Sequence, residues 1–439
     1  MTEKLEKTIK PRAIWPGLKD GVPKPIMPYS PAIKVGDWVF IAGQLASDFK
    51  TGLPSEVIPN SESGAISGLE LQSDFIYRNI EQTLQATGCN MKMDTMKTWE
   101  WFVSEHPNQK SFLSSNNSHR LDIKPYENSM NRSFQDYMPP RSSIGISELM
   151  WVGTQIELEV ICLASQDESV YFSLGGDQSE KSSMHTDAIR KGDWIFTSNQ
   201  NGMDEDGLSN DSIELQTERM LEKLLQISEK SGSSFEQSVK AEVFIGDSRD
   251  FAVVDKIWKK WFPNNPPARF VLPHSGMNHR DIKVEASLML LTDESHLKKE
   301  VIEASDAPKP LGHEPQAIKV GNLLFFSTQM AFDNNGKLAE GMTRNPAAPW
   351  YGRPAQTQMR YMMENINAIS EAAGTTVENI VRRACFHDDL QWFAESIESW
   401  ASYFPNDKPA STTIGMNHSL GIDGANTSLD LIAFVPDDD

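Results

Sequence analysis

The chain spells nearly the same stretch three times: AIKVGDWVFIAGQ from Ala32, AIRKGDWIFTSNQ from Ala188 and AIKVGNLLFFSTQ from Ala317. Each has a polar turn at Gly36, Gly192 or Gly321, then a β-branched and aromatic run ending at Gln44, Gln200 or Gln329. That is how a half-buried strand after a tight turn reads. The starts lie 156 and 129 residues apart, domain spacing far above the roughly 20–50 residues of solenoid repeats. The pattern predicts a triplicated domain.

The segments downstream of each stretch repeat as well. An Asp/Gly-rich turn (SDFKTG, MDEDG, FDNNGK) predicts that the strand returns as a hairpin. A helix comes next, with one apolar stripe: Ile76, Ile80 and Leu84 in the first copy, Met220, Leu221, Leu224 and Leu225 in the second, Met362, Met363, Ile366 and Ile369 in the third. Gly88, Gly232 and Gly374 are the expected stops. Short apolar strands (MKTWEWFV, VKAEVFIG, VRRACFHD), a second helix and a proline-rich turn come after it, and each copy closes on an alternating strand: IELEVICLA, IKVEASLML, SLDLIAFV. Alternation buries one face and leaves the other free for chemistry. The Gln-to-Gly distance is 44, 32 and 45 residues, so copies one and three carry insertions near Ile58 to Gly68 and Gly341 to Gly352. Copy one carries a further polar insertion near His106 to Tyr126. The expected bounds are an N-terminal arm over 1–24 and repeats over 25–166, 180–293 and 308–436.

Bulk properties fit a soluble cytoplasmic protein. No run approaches the length that spans a bilayer, and the arm lacks the apolar centre of a signal peptide. Cys89, Cys162 and Cys385 sit one per copy at non-equivalent places, which writes neither a disulfide frame nor a metal cluster. The nine histidines are scattered and no Gly-rich phosphate loop follows a strand, so no metal and no cofactor are expected. With 41 Lys and Arg against 61 Asp and Glu, the net charge of −20 argues against a nucleic-acid partner.

The strand-turn-helix layout, the "PY…AIKVGD" opening, the C-terminal "P.R" turn and the "IELE" strand resemble the RidA/YjgF reactive-intermediate deaminases, sometimes called translation inhibitors or endoribonucleases. The resemblance runs through nearly the whole chain, once per copy. It implies an α+β fold of three tandem chorismate-mutase-like domains, closed into an intramolecular pseudo-trimer with a central β-barrel and outer helices. Such a chain is a monomer near its 49.2 kDa mass or a dimer of such rings. The family's site lies between neighbouring domains and uses a Tyr, an Asn, an Arg and a Glu. Copy one keeps all four types, as Tyr29, Asn131, Arg141 and Glu157. On the same resemblance copy two carries His185, Asp255, Arg269 and Lys283, and copy three carries Glu314, Ser411 and Ser428 at the Tyr, Arg and Glu positions. One competent site, built on Arg141, and two altered ones are expected.

Each residue type suits a task. A guanidinium is a planar fork that binds a carboxylate through two hydrogen bonds, so Arg141 would fix the acid end of an imino or enamino acid. Glu157 would deprotonate the attacking water. Ser143 shares a strand face with Arg141, backbone N–H groups near Gly43 and Ser143 would take the second carboxylate oxygen, and Tyr29 would add a hydroxyl. Which copy meets which is left open, so Arg141 and Glu157 would face Tyr29, His185 or Glu314. The repeated GMNH (Gly276 to His279, Gly415 to His418) reads as loop or cleft lining. The resemblance therefore implies a cofactor-free hydrolase that releases ammonia from a small enamine or imine carboxylate of aminoacrylate or aminomuconate type. The alternatives are opening of a nitrogen heterocycle, drawing on Lys283, His185 and Glu314, and metabolite binding without turnover. Ribonuclease action is the least attractive, for want of a basic groove.

Overall fold

The computed structural model describes residues 9–17, 22–60, 66–104, 122–175, 186–203, 212–277, 281–348 and 350–437. His185, His279, most of the His106 to Tyr126 insertion and part of the Ile58 to Gly68 insertion lie outside them.

Repeat 1 contains β2 (Ala32–Val35) and β3 (Trp38–Leu45), helix α1 (Gly68–Thr87), β4 (Thr95–Val103), helix α2 (Lys124–Phe134), β5 (Arg141–Ile146), the short β6 (Glu148–Leu149) and β7 (Ile156–Leu163). Repeat 2 comes next with β9 (Ala188–Lys191), β10 (Trp194–Thr197), β11 (Gln200–Asn201), α3 (Ile213–Lys230), β12 (Ser238–Ile245), α4 (Phe251–Trp261), β13 (Ala268–Pro273) and β14 (Val284–Leu291). Repeat 3 has β16 (Ala317–Val320), β17 (Leu323–Phe326), α5 (Pro354–Ala372), β18 (Ile380–His387), α6 (Phe393–Ala401), β19 (Ala410–Gly415) and β20 (Thr427–Phe434). In each, the hairpin pairs antiparallel, the closing strand lies between hairpin and third strand, and the third and fourth strands run parallel across a helix. Strands β1 (Arg12–Ile14), β8 (Ser169–Phe172) and β15 (Lys299–Ile302) each add antiparallel to the first hairpin strand of the repeat immediately after them. Part of the N-terminal arm is thus a strand of repeat 1's own sheet.

Local chemistry sets the helix ends. Ser67 and Ser212 accept a hydrogen bond from the N–H groups of Glu70 and Leu215, as N-caps do. Gly88, Gly232 and Gly374 have φ of 81°, 86° and 82°, the left-handed geometry that ends a helix and that glycine adopts without strain. The apolar stripes of α1, α3 and α5 pack against their own sheets as three separate cores.

A fourth core is shared by all three repeats. Trp101, Phe244 and Phe386 occupy equivalent positions on β4, β12 and β18, and the Trp101 ring lies 6.2 Å from Phe244 and 5.2 Å from Phe386. The hairpin turns at Gly36, Gly192 and Gly321 together line one cavity of about 290 Å³. Three equivalent cations connect the repeats in turn. The Lys97 ammonium donates to the Thr197 carbonyl of repeat 2 at 3.2 Å, Lys240 to the Phe326 carbonyl and Asp430 of repeat 3, and Arg382 to Glu159 of repeat 1. The contacts therefore run from repeat 1 to 2, from 2 to 3 and from 3 back to 1.

Candidate functional site

Three clefts lie where the fourth strand of one repeat meets the hairpin of the next, and the strand register fixes which residues are equivalent. Leu45 is opposite Glu157, as Asn201 is opposite Glu285, and Phe386 stands opposite Ser428 where Trp101 stands opposite Glu157. The second repeat's counterpart of Glu157 is therefore Glu285, which corrects the assignment of that position to Lys283. A second correction concerns the helix. Arg141 and Arg269 each bond a carboxylate fourteen residues earlier, Glu127 at 2.9 Å and Asp255, so Asp255 corresponds to Glu127 and not to Asn131. Asn131 lies one turn further along α2, where its carbonyl accepts from the Gln135 N–H.

The cleft between repeats 1 and 2 holds Arg141 and Ser143 from β5. The Arg141 backbone N–H donates to Ser198 Oγ at 2.9 Å, and its carbonyl accepts from the Asn199 N–H at 3.0 Å. The guanidinium donates to Glu127 and lies 3.9 Å from the Met130 sulfur. Ser143 donates to the buried Glu100, whose charge further raises the Arg141 pKa although burial alone would lower it. Across the cleft, Asn199 and Asn201 donate to Glu285 at 3.3 and 3.5 Å, and burial pushes that carboxyl up to about 7. Arg141 thus does not share a site with Glu157 or Tyr29.

The cleft between repeats 2 and 3 is filled. Arg269, fully buried, donates through Nε to Glu314 at 3.0 Å and through Nη2 to both Glu314 and Asp255. The two residues expected to bind ligand bind each other. Glu314 stands where Tyr29 stands in repeat 1, and Ser428 removes the acid.

The cleft between repeats 3 and 1 holds a cavity that is partly open to solvent, its inner space about 30 Å³, room for roughly two waters. It brings together Tyr29, Gly43 and Glu157 from repeat 1 with Arg383, Ser411 and Thr413 from repeat 3, and Met150, Phe393 and Ile397 add apolar lining. Burial holds the Glu157 carboxyl well above the ordinary carboxylate range, Glu159 adds to the shift, and among the described residues Oε2 has no hydrogen-bond partner. Burial also raises the Tyr29 phenol. Gly43 is glycine for a steric reason, since a Cβ there would sit 1.8 Å from Glu157 Oε1. The Arg383 guanidinium is fully buried and donates through Nη1 to Ser411 Oγ at 2.9 Å and Thr413 Oγ1 at 3.3 Å.

Arg383 and Glu285 escaped the sequence reading. Aligning VRRAC with MKTWE and VKAEV places Arg382 with Lys97 and Lys240, and leaves Arg383 opposite Thr98 and Ala241 as the odd residue. His418 of the GMNH motif does not line the cavity and accompanies the Ser419 carbonyl at 3.0 Å. Among the described residues no group of His, Cys, Asp and Glu is placed to hold a metal, and no helix is long and apolar enough to cross a membrane.

Three α+β repeats with clefts between them, each lined by side chains from two repeats, define a tandem inter-domain cleft protein. The chain belongs to the family described as Endoribonuclease L-PSP, whose profile matches residues 20–164, 179–290 and 304–419. The chain is similar to a RutC family protein of Pyrococcus horikoshii, 36% identical over 117 residues, 26% of this chain and 83% of that one. It is also similar to Reactive Intermediate Deaminase A, chloroplastic, of Arabidopsis thaliana, 30% identical over 119 residues, 27% of this chain and 58% of that one. In fold it is similar to a solved chorismatase structure with a TM-score of 0.52 at 10% identity, over 77% of this chain and 93% of that one.

Proposed function

We propose that the chain hydrolyses a C–N bond, as an enamine or imine deaminase, in the cleft between repeats 3 and 1, with Glu157 as the proton-transfer group. The observation that carries this reading is the Glu157 carboxyl: buried, its protonated form favoured by that burial and by Glu159, without a hydrogen-bond partner at Oε2 among the described residues, and lining a cavity with Tyr29. A carboxyl whose surroundings favour its protonated form is suited to act as a general acid. It gives its proton to the enamine carbon, leaving an iminium. The resulting carboxylate takes a proton from water as the water oxygen bonds to the iminium carbon. The carboxyl next protonates the amine of this carbinolamine, the C–N bond breaks, ammonia leaves, and the hydroxyl proton returns to Glu157 as the ketone forms. Enamine and water become ketone and ammonia, with no cofactor. The name of the Arabidopsis relative agrees with this chemistry.

The same reading takes the three repeats as an intramolecular pseudo-trimer. The cyclic run of Lys97, Lys240 and Arg382 contacts and the shared aromatic core support it. A second reading puts catalysis in the cleft between repeats 1 and 2, on the strength of Glu285 near pKa 7. Its Arg141 is already paired to Glu127, which disfavours it for an anionic substrate.

Ammonia release from freshly generated 2-aminoacrylate and 2-iminobutyrate separates these readings. Glu157→Gln is expected to lower turnover by roughly 10²–10⁴-fold, the usual contribution of general acid–base catalysis, while Glu285→Gln leaves it nearly unchanged. The opposite pattern places the activity between repeats 1 and 2. No turnover by the wild type on either compound removes the deaminase reading and favours binding alone.

A further inference from the structure

Strands β18 and β19 pair in parallel with Arg383 opposite Ser411. The same pair reads Thr98 opposite Arg141 in repeat 1 and Ala241 opposite Arg269 in repeat 2. In two repeats the arginine is on the fourth strand beside a small residue on the third. In repeat 3 the two have changed places.

The guanidinium nonetheless arrives at the same spot. The Arg269 head lies 5.0 Å over the Trp258 ring, eleven residues before it, and the Arg141 head meets Met130, also eleven before. Trp400 is eleven residues before Ser411, and the Arg383 head lies 4.8 Å above that ring. A long side chain on the neighbouring strand has reached the platform that Ser411 is too short to reach.

Its partners differ from those of the other two arginines. Glu127 and Asp255, fourteen residues before Arg141 and Arg269, neutralise them, but the residue fourteen before Ser411 is the apolar Ile397. Arg269 also takes Glu314 from the next repeat, where the residue facing Arg383 from the next repeat is Tyr29. Arg383 is left with two hydroxyls on Nη1 and the neutral Cys385 thiol alongside, and among the described residues its Nε and Nη2 have no hydrogen-bond partner although the side chain is 0% exposed. Nε and Nη2 form one edge of the guanidinium, the edge whose two N–H groups match the two oxygens of a carboxylate. A buried charge with its donor edge unmet is costly until an anion meets it.

We propose that Arg383 is the carboxylate anchor of the cleft between repeats 3 and 1, and that the ligand is a small organic monoanion. Among the described residues it is the one cation lining the cavity, so it matches a single carboxylate, and Met150, Phe393 and Ile397 make much of the remaining lining apolar. The reaction at this anchor rests on the deaminase reading; the binding does not.

The test is calorimetric titration with 2-oxobutyrate, the keto acid that 2-iminobutyrate would yield, on the wild type, Arg383→Thr, and the swap Arg383→Thr with Ser411→Arg. Thr98 already fills the equivalent position in repeat 1, so the threonine suits the strand, and circular dichroism checks the fold. The single variant is expected to bind at least 30-fold more weakly, and the swap to recover affinity to within about fivefold. Unchanged affinity in Arg383→Thr, no recovery in the swap, or no saturable binding to the wild type would each overturn the anchor. Steady-state kinetics separate the two claims. Keto acid bound through Arg383 without ammonia release from any enamine leaves the anchor standing and removes the deaminase. Ammonia release with an unchanged KM in Arg383→Thr does the reverse.

Discussion

Glu285 is a carboxyl taken out of water and given only two amide donors, and the consequence is a pH dependence with a definite sign. Its folded pKa of about 7 stands above the ordinary value of 4.5, so the folded chain holds this proton more tightly than the unfolded one. Stability therefore falls as pH rises from about 4.5 to 7, and the penalty, on the order of 3 kcal/mol at 1.36 kcal/mol per unit, is complete above 7. Glu285→Gln removes the charge and keeps the shape. Urea unfolding should show it more stable than wild type by roughly 2 kcal/mol at pH 8 and less stable by roughly 1 kcal/mol at pH 4.5, a constant offset of about 1 kcal/mol reflecting the lost acceptor oxygen. Arg269 poses the opposite case, a buried cation that already has its anions. Glu314→Ala leaves the guanidinium with Asp255 alone and should cost about 3–5 kcal/mol, whereas Arg269→Met with Glu314→Leu, which removes both charges, should cost much less. Equal losses in the two variants would mean that packing, not charge, holds this cleft closed.

At the scale of strands, two glycines sort contact from function. A Cβ on Gly145 of β5 would lie 2.6 Å from the Gly276 carbonyl, a backbone atom of repeat 2 that cannot step aside. Gly145→Ala should lower stability by about 1–3 kcal/mol, read as a drop in Tm. A Cβ on Gly43 meets instead the side-chain end of Glu157, so Gly43→Ala should displace that carboxyl and depress turnover with a smaller effect on Tm. Strand and helix patterns were legible because alternation and apolar stripes are local, and the stops at Gly88, Gly232 and Gly374 follow from one residue's φ. Site assignments by motif failed where periodicity is degenerate. Lys283, just ahead of β14, and Glu285, on it, are two residues apart, so an alternating pattern puts both on one face and cannot choose between them. Glu127 and Asn131 are four apart on a helix and share a face too. Arg383 needed something further, the lateral register between β18 and β19, which one strand's sequence does not contain.

The whole molecule shares one core among three repeats, and this decides how it should respond to being cut. Trp101, Phe244 and Phe386 pack together from three repeats, Phe270 stacks on Phe386 at 5.3 Å, and Arg382 of repeat 3 carries the circuit back to Glu159 of repeat 1. Repeat 3 is thus held by faces on both of its neighbours as well as by its peptide connection to repeat 2. Apolar surface of this kind stays buried whether or not the chain is continuous, because burying it is worth about 25 cal/mol per Å² and needs no covalent link. A protease site placed between Asp293 and Glu294, both exposed in the loop after β14, tests this. After cleavage the two pieces should elute together at the mass of the uncut chain under native conditions and part only in denaturant, with the cleft between repeats 3 and 1 still binding 2-oxobutyrate. Elution of a free C-terminal piece would mean that the contacts returning from repeat 3 to repeat 1 are too weak to hold Arg383 against Tyr29 and Glu157 without the chain connection.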